Sequence, residues 1–269
     1  MTPAIALSDV TVVRGQREIL SHVSWNIDEG QRWVVMGPNG AGKTTLMQIC
    51  SGYMHPTSGS AIVLGEKLGA TNVRDLRPRI GISSSATAGL LPPQETVSDA
   101  VVTAAYGVSG RWRERYEAID HERAHTLIES WGLADLKDRR IGTLSEGERK
   151  RTHIARSLMA DPEILILDEP AAGLDVAGRE ELVNRLSALA ADDRSPVLIL
   201  VTHHVEEIPP HFTHALLVSN GQVSAQGLVH DMIASEPMSK AFNTPLIVEH
   251  FDQRWYARGW EPSRGKRAL

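Results

Sequence analysis

The segment Gly37–Thr45, GPNGAGKTT, constrains this chain more than any other. Its spacing is G-x-x-x-x-G-K-[ST], with Gly37, Gly42, Lys43 and Thr44 at the defining positions. The apolar run Trp33-Val34-Val35-Met36 before it reads as a buried strand, and Thr45-Leu46-Met47-Gln48-Ile49 after it reads as a helix. Strand, glycine turn and helix thus form one unit. The loop Gly37, Pro38, Asn39, Gly40, Ala41, Gly42, Lys43, Thr44 and Thr45 is expected to hold nucleotide phosphates. Its glycines allow a tight fold that aims backbone N–H groups at phosphate oxygens, and the helix N-terminus adds positive dipole. Lys43 is placed to reach the β- and γ-phosphates, and the Thr44 hydroxyl to ligate Mg²⁺.

The rest of the chain sets limits on what that unit serves. With 269 residues and 42% hydrophobic content, it is long enough for one large domain with a sizeable core, or one domain with a lobed insertion. A net charge of −5 argues against nucleic acid as the main partner. The single cysteine, Cys50, excludes an internal disulfide, suits a reducing compartment, and falls on the helix after the loop as a small packed residue. No apolar run approaches the roughly 18–20 residues needed to cross a bilayer. The opening MTPAIALSDV has no basic segment followed by an apolar core, so it is not a signal peptide. A cytoplasmic location is expected, with any membrane part supplied by another subunit.

Strands dominate the first third. Residues 5–12 and 23–27 alternate apolar and polar, as half-exposed strands do, and residues 60–64 follow the turn Pro56-Thr57-Ser58-Gly59. Residues 83–96, SSSATAGLLPPQET, read as a loop. From about Val97 to Ala160 the pattern is helical: Leu127, Ile128 and Trp131 share a face with Gly132 as a stop, and Ile154 and Leu158 stripe a second helix. Ile164–Leu167 and Val197–Val201 are wholly apolar strands around an amphipathic helix, Arg179–Ala191, with Leu182, Leu186 and Leu189 inward. Apolar strands alternating with helices imply a parallel sheet covered on both faces, an α/β fold. Asn220-Gly221 is a type I′ hairpin signal. Residues 233–269 read as a mixed tail with a basic, solvated end.

Two more motifs follow. In ILILDEP, four apolar residues cross the sheet and two carboxylates emerge at its C-terminal edge. Asp168 fits a Mg²⁺ ligand, and Glu169 fits a general base facing the attacking water. LSEGERKR, residues 144–151, opens a helix with Ser145 and Gly147 outward at its positive end, an anion site apart from the phosphate loop. LSEGE resembles the LSGGQ signature of ATP-binding cassette (ABC) ATPases and stands in their order, between the phosphate loop and the DE pair. Gly173-Leu174-Asp175 resembles the D-loop, and Thr202-His203 resembles the switch histidine. The resemblance covers about residues 4–230.

It implies an ABC-type P-loop NTPase: a RecA-like parallel-sheet core, an N-terminal antiparallel β-subdomain and an inserted helical subdomain. The expected boundaries are a cassette over 1–232 (core 1–84 and 162–232, helical subdomain 85–161) and a C-terminal extension over 233–269. It also implies a head-to-tail dimer, homo- or heteromeric, with two ATP molecules sandwiched between phosphate loops and signature helices. Ser145, Glu146, Gly147 and Glu148 would face the γ-phosphate in trans, His203 in cis, and Asp175 would lie at the interface. Implied ligands are ATP and Mg²⁺. Transmembrane permease subunits are the expected partners, with the cassette peripheral on the inner face of the cell membrane. The segment 83–96 and the helical lobe would dock there. The signature, the serine-rich loop and THHVEEIP look most like cassettes of molybdate and iron–siderophore uptake. The alternative is an ABC ATPase without a transporter, an assembly or regulatory factor.

Three positions depart from the family pattern. Arg14 stands where an aromatic ring under adenine is expected, so poor discrimination between ATP and GTP is predicted. The Q-loop glutamine position falls on Ser84 or Ser85, and Gln94 comes later. Glu146 and Glu148 replace glycine and glutamine, adding negative charge near a polyphosphate that Arg149, Lys150 and Arg151 are expected to offset. Besides His203, the chain clusters His204, His211 and His214, with His121 and His125 a helical turn apart. They lack carboxylate or cysteine partners at zinc spacing, so surface or packed histidines are expected.

Overall fold

The computed structural model describes residues 3–260, apart from 85, 86, 88, 90, 109 and 111–115. The strands are β1 (Ile5–Arg14), β2 (Arg17–Ile27), β3 (Arg32–Met36), β4 (Ser58–Val63), β5 (Glu66–Lys67), β6 (Ile80–Ser83), β7 (Ile164–Asp168), β8 (Val197–Val201), β9 (His214–Ser219), β10 (Gln222–Leu228), β11 (Leu246–Phe251) and β12 (Arg254–Gly259). They form a central sheet ordered β10-β9-β3-β8-β7-β6, an N-terminal sheet ordered β2-β1-β4-β5 and a hairpin, β11-β12. In the central sheet β9, β3, β8, β7 and β6 run parallel, and β10 joins antiparallel to β9. All pairs of the N-terminal sheet are antiparallel.

The continuous apolar runs are explained by two cores. Val34, Met36, Leu165, Leu167, Leu198, Leu200 and Leu217 face one cluster, shared with the helices. Val35, Ile164, Ile166, Ile199, Val201 and Leu216 face the other, closed by the N-terminal sheet through Ile5, Leu20 and Trp25. A strand buried on both faces has no position for a polar residue. Truncating one such Leu or Ile to Ala typically costs about 2–5 kcal/mol, through lost transfer energy and an unfilled cavity.

Between β6 and β7 the described chain is helical. It contains the helices Val97–Val102, Ala118–Ser130 and Glu146–Ser157. Gly132 ends the middle one at φ 64, the left-handed value a helix stop needs. Asn220 and Gly221 join β9 to β10 at φ 51 and 77, both positive as a type I′ turn requires.

Residues 233–260 are more ordered than a mixed tail. The helix Ser235–Phe242 and the β11-β12 hairpin pack on the domain, with Met238 and Trp255 buried in the helical-side core. The basic end, Arg264-Gly265-Lys266-Arg267, lies outside the described residues. No described helix is long and apolar enough to cross a membrane.

Candidate active site

The phosphate loop joins β3 to the helix Lys43–Cys50, as the sequence spacing requires. Two of its glycines are imposed by crowding. A Cβ on Gly37 would lie 2.0 Å from the Val218 carbonyl oxygen, and one on Gly42 2.7 Å from Leu20 Cδ2. Gly42 also has φ 101, which side chains rarely adopt. The loop is braced by the β9-β10 turn, where the Gly221 N–H donates to Ala41 O at 3.1 Å. Lys43 is buried, and its ammonium donates to Gly37 O at 2.7 Å and Pro38 O at 3.0 Å. Burial lowers the Lys43 pKa, while Glu169 and Asp168 hold it up. The ammonium is thus poised over the loop, ready to exchange carbonyl partners for phosphate oxygens.

A cleft of about 330 Å³ over the loop is lined by Arg14, Arg17, Ile19, residues 39–45 and Glu169. Arg14 and Arg17 are directly paired across the β1-β2 turn. Like charges placed so are destabilising by a few tenths of a kcal/mol to about 1 kcal/mol, a cost that an anion in the cleft relieves. Arg14 Nη2 donates to Gln48 Oε1 at 3.2 Å. No aromatic side chain lines this cleft among the described residues. Arg17 was missed by motif reading, though its place opposite Arg14 across Gly15-Gln16 is a signal the hairpin carries.

Beside it, a cleft of about 310 Å³ brings Thr44, Gln48, Ser84, Thr87, Asp168 and Glu169 together. Ser84, one of the two residues expected at the glutamine position, thus lines the same cleft as Thr44, Asp168 and Glu169. Ser85 lies outside the described residues, and Gln94 is exposed and lines neither cleft. Burial and the neighbouring Glu169 carboxylate push the Asp168 pKa up, against Lys43, which pulls it down. Glu169 has φ 52, a left-handed value for a non-glycine residue, and its N–H bonds Val201 O at 2.9 Å. Such backbone strain is retained where surroundings fix it, commonly at functional sites. His203 Nδ1 lies 3.4 Å from Glu169 Oε1 but makes no hydrogen bond.

The signature segment opens a helix between β6 and β7. Ser145 caps the helix Glu146–Ser157, and with Glu148 it forms a capping box: Ser145 N–H donates to Glu148 Oε2 at 2.7 Å, and Glu148 N–H to Ser145 Oγ at 3.3 Å. The Ser145 N–H holds the Glu148 carboxyl below its ordinary pKa. Glu146 pairs with Arg149, Arg151 with Glu181, and Lys150 donates to the Ala172 carbonyl. A cleft of about 400 Å³ links Glu146, Arg149 and Lys150 to Asp168 and Glu169, but Ser145 and Gly147 line neither it nor the phosphate-loop cleft. Asp175 caps the helix Val176–Ala191, its Oδ1 accepting from Gly178 N–H at 2.8 Å.

The candidate histidines His121, His125, His204 and His214 have individual partners: His125 Nδ1 lies 3.5 Å from Glu129 Oε2, His214 stacks on Trp33 with its Nδ1 2.8 Å from Thr213 Oγ1, and the rings of His121 and His204 pack against Tyr116 and His203. Burial pushes the Cys50 thiol up to about 12, so it is inert. Among the described residues, no three His, Cys, Asp or Glu side chains gather as a metal site.

The family model described as ABC transporter matches residues 20–172. The uncharacterized ABC transporter ATP-binding protein YlmA of Bacillus subtilis is 39% identical over 96% of this chain and 98% of its own length. Among solved structures, CbiO1 of Clostridium perfringens, part of the ABC transporter complex CbiONQ, superposes with TM-score 0.77 at 26% identity, covering 88% of this chain and 93% of its own. The dimeric structure of the bacterial ABC transporter cassette MJ0796 gives TM-score 0.72 at 25% identity, over 84% of this chain and 98% of that one. With motifs, fold and relatives in agreement, this chain belongs to the ABC transporter family as an ATP-binding cassette.

Proposed function

We propose that this cassette hydrolyses ATP at a head-to-tail dimer interface and so powers transport through separate permease subunits. The observation that carries the reading is a division within one protomer. Lys43, Thr44, Asp168 and Glu169 line adjoining clefts with His203 alongside, while Ser145 and Gly147 face elsewhere. ATP held by the first set is completed by the second set of another copy.

The loop N–H groups and Lys43 bind the triphosphate, and Arg14 and Arg17 lie at the mouth for the base and sugar. Thr44 and Asp168 present hydroxyl and carboxylate oxygens into one cleft, a donor set suited to Mg²⁺. A Mg²⁺ ion held by these two residues would supply neutralisation of phosphate charge. Glu169 orients a water and takes its proton as the water oxygen bonds the γ-phosphorus. The bond to the ADP oxygen breaks, leaving ADP and phosphate. His203 holds the γ-phosphate in cis, and Ser145 and the Gly147 N–H hold it in trans. The work is mainly positioning and charge stabilisation.

The permease is proposed to dock on the cleft of about 280 Å³ where Tyr53, Arg77, Thr87, Leu91 and Arg156 meet, between the core and the helical lobe. Tyr53 is 58% exposed there, with the Arg77 guanidinium 4.4 Å from its ring centre. The cassette is then peripheral on the inner face of the cell membrane. Affinity purification of the tagged cassette from detergent-solubilised membranes tests this. A stoichiometric multi-spanning partner is expected. Recovery of a purely soluble partner instead would overturn transport in favour of an assembly or regulatory role.

A further inference from the structure

The turn behind His203 is held from two sides. On the inside, the fully buried Thr202 donates its hydroxyl to the buried Glu207 carboxylate at 2.5 Å. The same hydroxyl accepts the His204 N–H at 3.0 Å, and the Thr202 N–H bonds Val35 O at 3.2 Å. On the outside, the partner comes from the C-terminal hairpin. Arg254 Nη1 donates to Glu180 Oε2 at 2.7 Å, and Nη2 donates to Glu180 Oε1 at 3.1 Å and to the Glu206 carbonyl at 2.6 Å.

Arg254 is not free to move from this place. Asp252 and Gln253 form a two-residue turn with φ 49 and 61, which pairs Phe251 with Arg254. Its neighbour Trp255 is 3% exposed in the main core. A slip of one residue would expel Trp255 as it displaced Arg254. Glu180 lies on the helix capped by Asp175, so one planar guanidinium joins the C-terminal hairpin to that helix and to the turn behind His203. A bidentate guanidinium–carboxylate pair fixes orientation as well as distance. His203 makes no hydrogen bond through Nδ1, and its ring packs on that of His204, 4.1 Å between centroids, so its aim follows from the backbone of the turn that carries both rings.

We infer that Arg254 is a positioning residue for ATP hydrolysis, through which the C-terminal hairpin holds the turn of His203 against the helix of Asp175. This rests on the role proposed above for His203 and on the interface position that the family resemblance implies for Asp175. The test is steady-state ATPase kinetics of the full chain, with hydrogen exchange of the amides at 203–207. Arg254→Ala is expected to lower kcat roughly tenfold, with KM for ATP changed less than about twofold, because misplacement of a catalytic group acts on turnover. Exchange at 203–207 should accelerate in the same variant. Arg254→Lys, which keeps the charge but loses the fork, should recover only part of kcat. Phe251→Ser, at a side chain 74% exposed on the same hairpin, should leave kcat unchanged.

Arg254→Ala with a lowered melting temperature but an unaltered kcat would overturn the inference, leaving a purely structural strap. An equal kcat loss in Phe251→Ser would overturn it as well, since the hairpin rather than Arg254 would then be responsible. A wild-type protein that binds ATP without hydrolysing it under any condition fails differently: it removes the functional reading itself.

Discussion

Arg14 is one of the three positions where this cassette departs from the family pattern. Its guanidinium lies at the mouth of the phosphate cleft, tied to Gln48 and paired across the hairpin with Arg17. Base–aromatic stacking is worth about 1–3 kcal/mol per base, and among the described residues no ring lines the cleft to supply it. A guanidinium plane stacks on adenine and guanine alike, and its charge acts on the phosphates common to both. Affinities for ATP and GTP are therefore expected to agree within about tenfold, a difference of about 1.4 kcal/mol. Competition against a fluorescent nucleotide measures this directly. Arg14→Tyr should tighten ATP binding by a few-fold. A wild-type preference for ATP of a hundredfold or more would contradict the account.

At the scale of elements, the signature helix shows what a local departure does. Glu148 stands where the family pattern has a glutamine, and the sequence places its added negative charge near a polyphosphate. In the structure that carboxylate is turned back onto the Ser145 N–H, as the last member of a capping box. Glu148→Ala should cost about 1 kcal/mol in urea unfolding at neutral pH, and Glu148→Gln less, because an amide still accepts the bond. The sign with pH follows from the lowered pKa of Glu148. Its stabilisation is full above the unfolded carboxylate value and is lost as pH falls through the lower folded value. The two unfolding midpoints should converge on acidification; a gap that widens instead refutes the capping role.

The same helix shows how much was legible. Ser145-x-x-Glu148 is a capping-box spacing in plain view, yet comparison with a family pattern drew attention to what Glu148 is not. The parallel strands were readable because burial on both faces leaves only apolar residues, a signal that needs no context. The phosphate loop, Asp168 and Glu169 were readable because each sits at the end of such a strand. The C-terminal hairpin was not. Its turn, Asp252-Gln253, contains no glycine although both residues are left-handed, and Trp255 is its only fully buried residue. Nor was Arg17, whose importance comes from cross-strand pairing rather than from any motif.

For the whole molecule, the division that matters to the proposed two-copy site is that Ser145 and Gly147 line none of the clefts formed by Lys43, Thr44, Asp168 and Glu169, although their neighbour Glu146 shares one with Asp168 and Glu169. In the proposed head-to-tail dimer, Ser145 and Gly147 of one copy complete the site of the other, and ATP is desolvated between them. Charge-assisted contacts to the γ-phosphate are lost when that phosphate leaves, so hydrolysis weakens the interface it depends on. Glu169→Gln keeps the shape of the site but removes the proton acceptor. It is expected to form a stable dimer with ATP in analytical ultracentrifugation and to remain monomeric with ADP. Wild-type turnover per protomer should rise with protein concentration until the dimer saturates. Ser145→Arg, which places bulk and like charge from the second copy against Lys43, should abolish the ATP-bound dimer while leaving nucleotide binding by the single protomer within about threefold, since Ser145 touches no phosphate in its own chain. A wild-type monomer that hydrolyses ATP at full rate, independent of concentration, would sink the two-copy site.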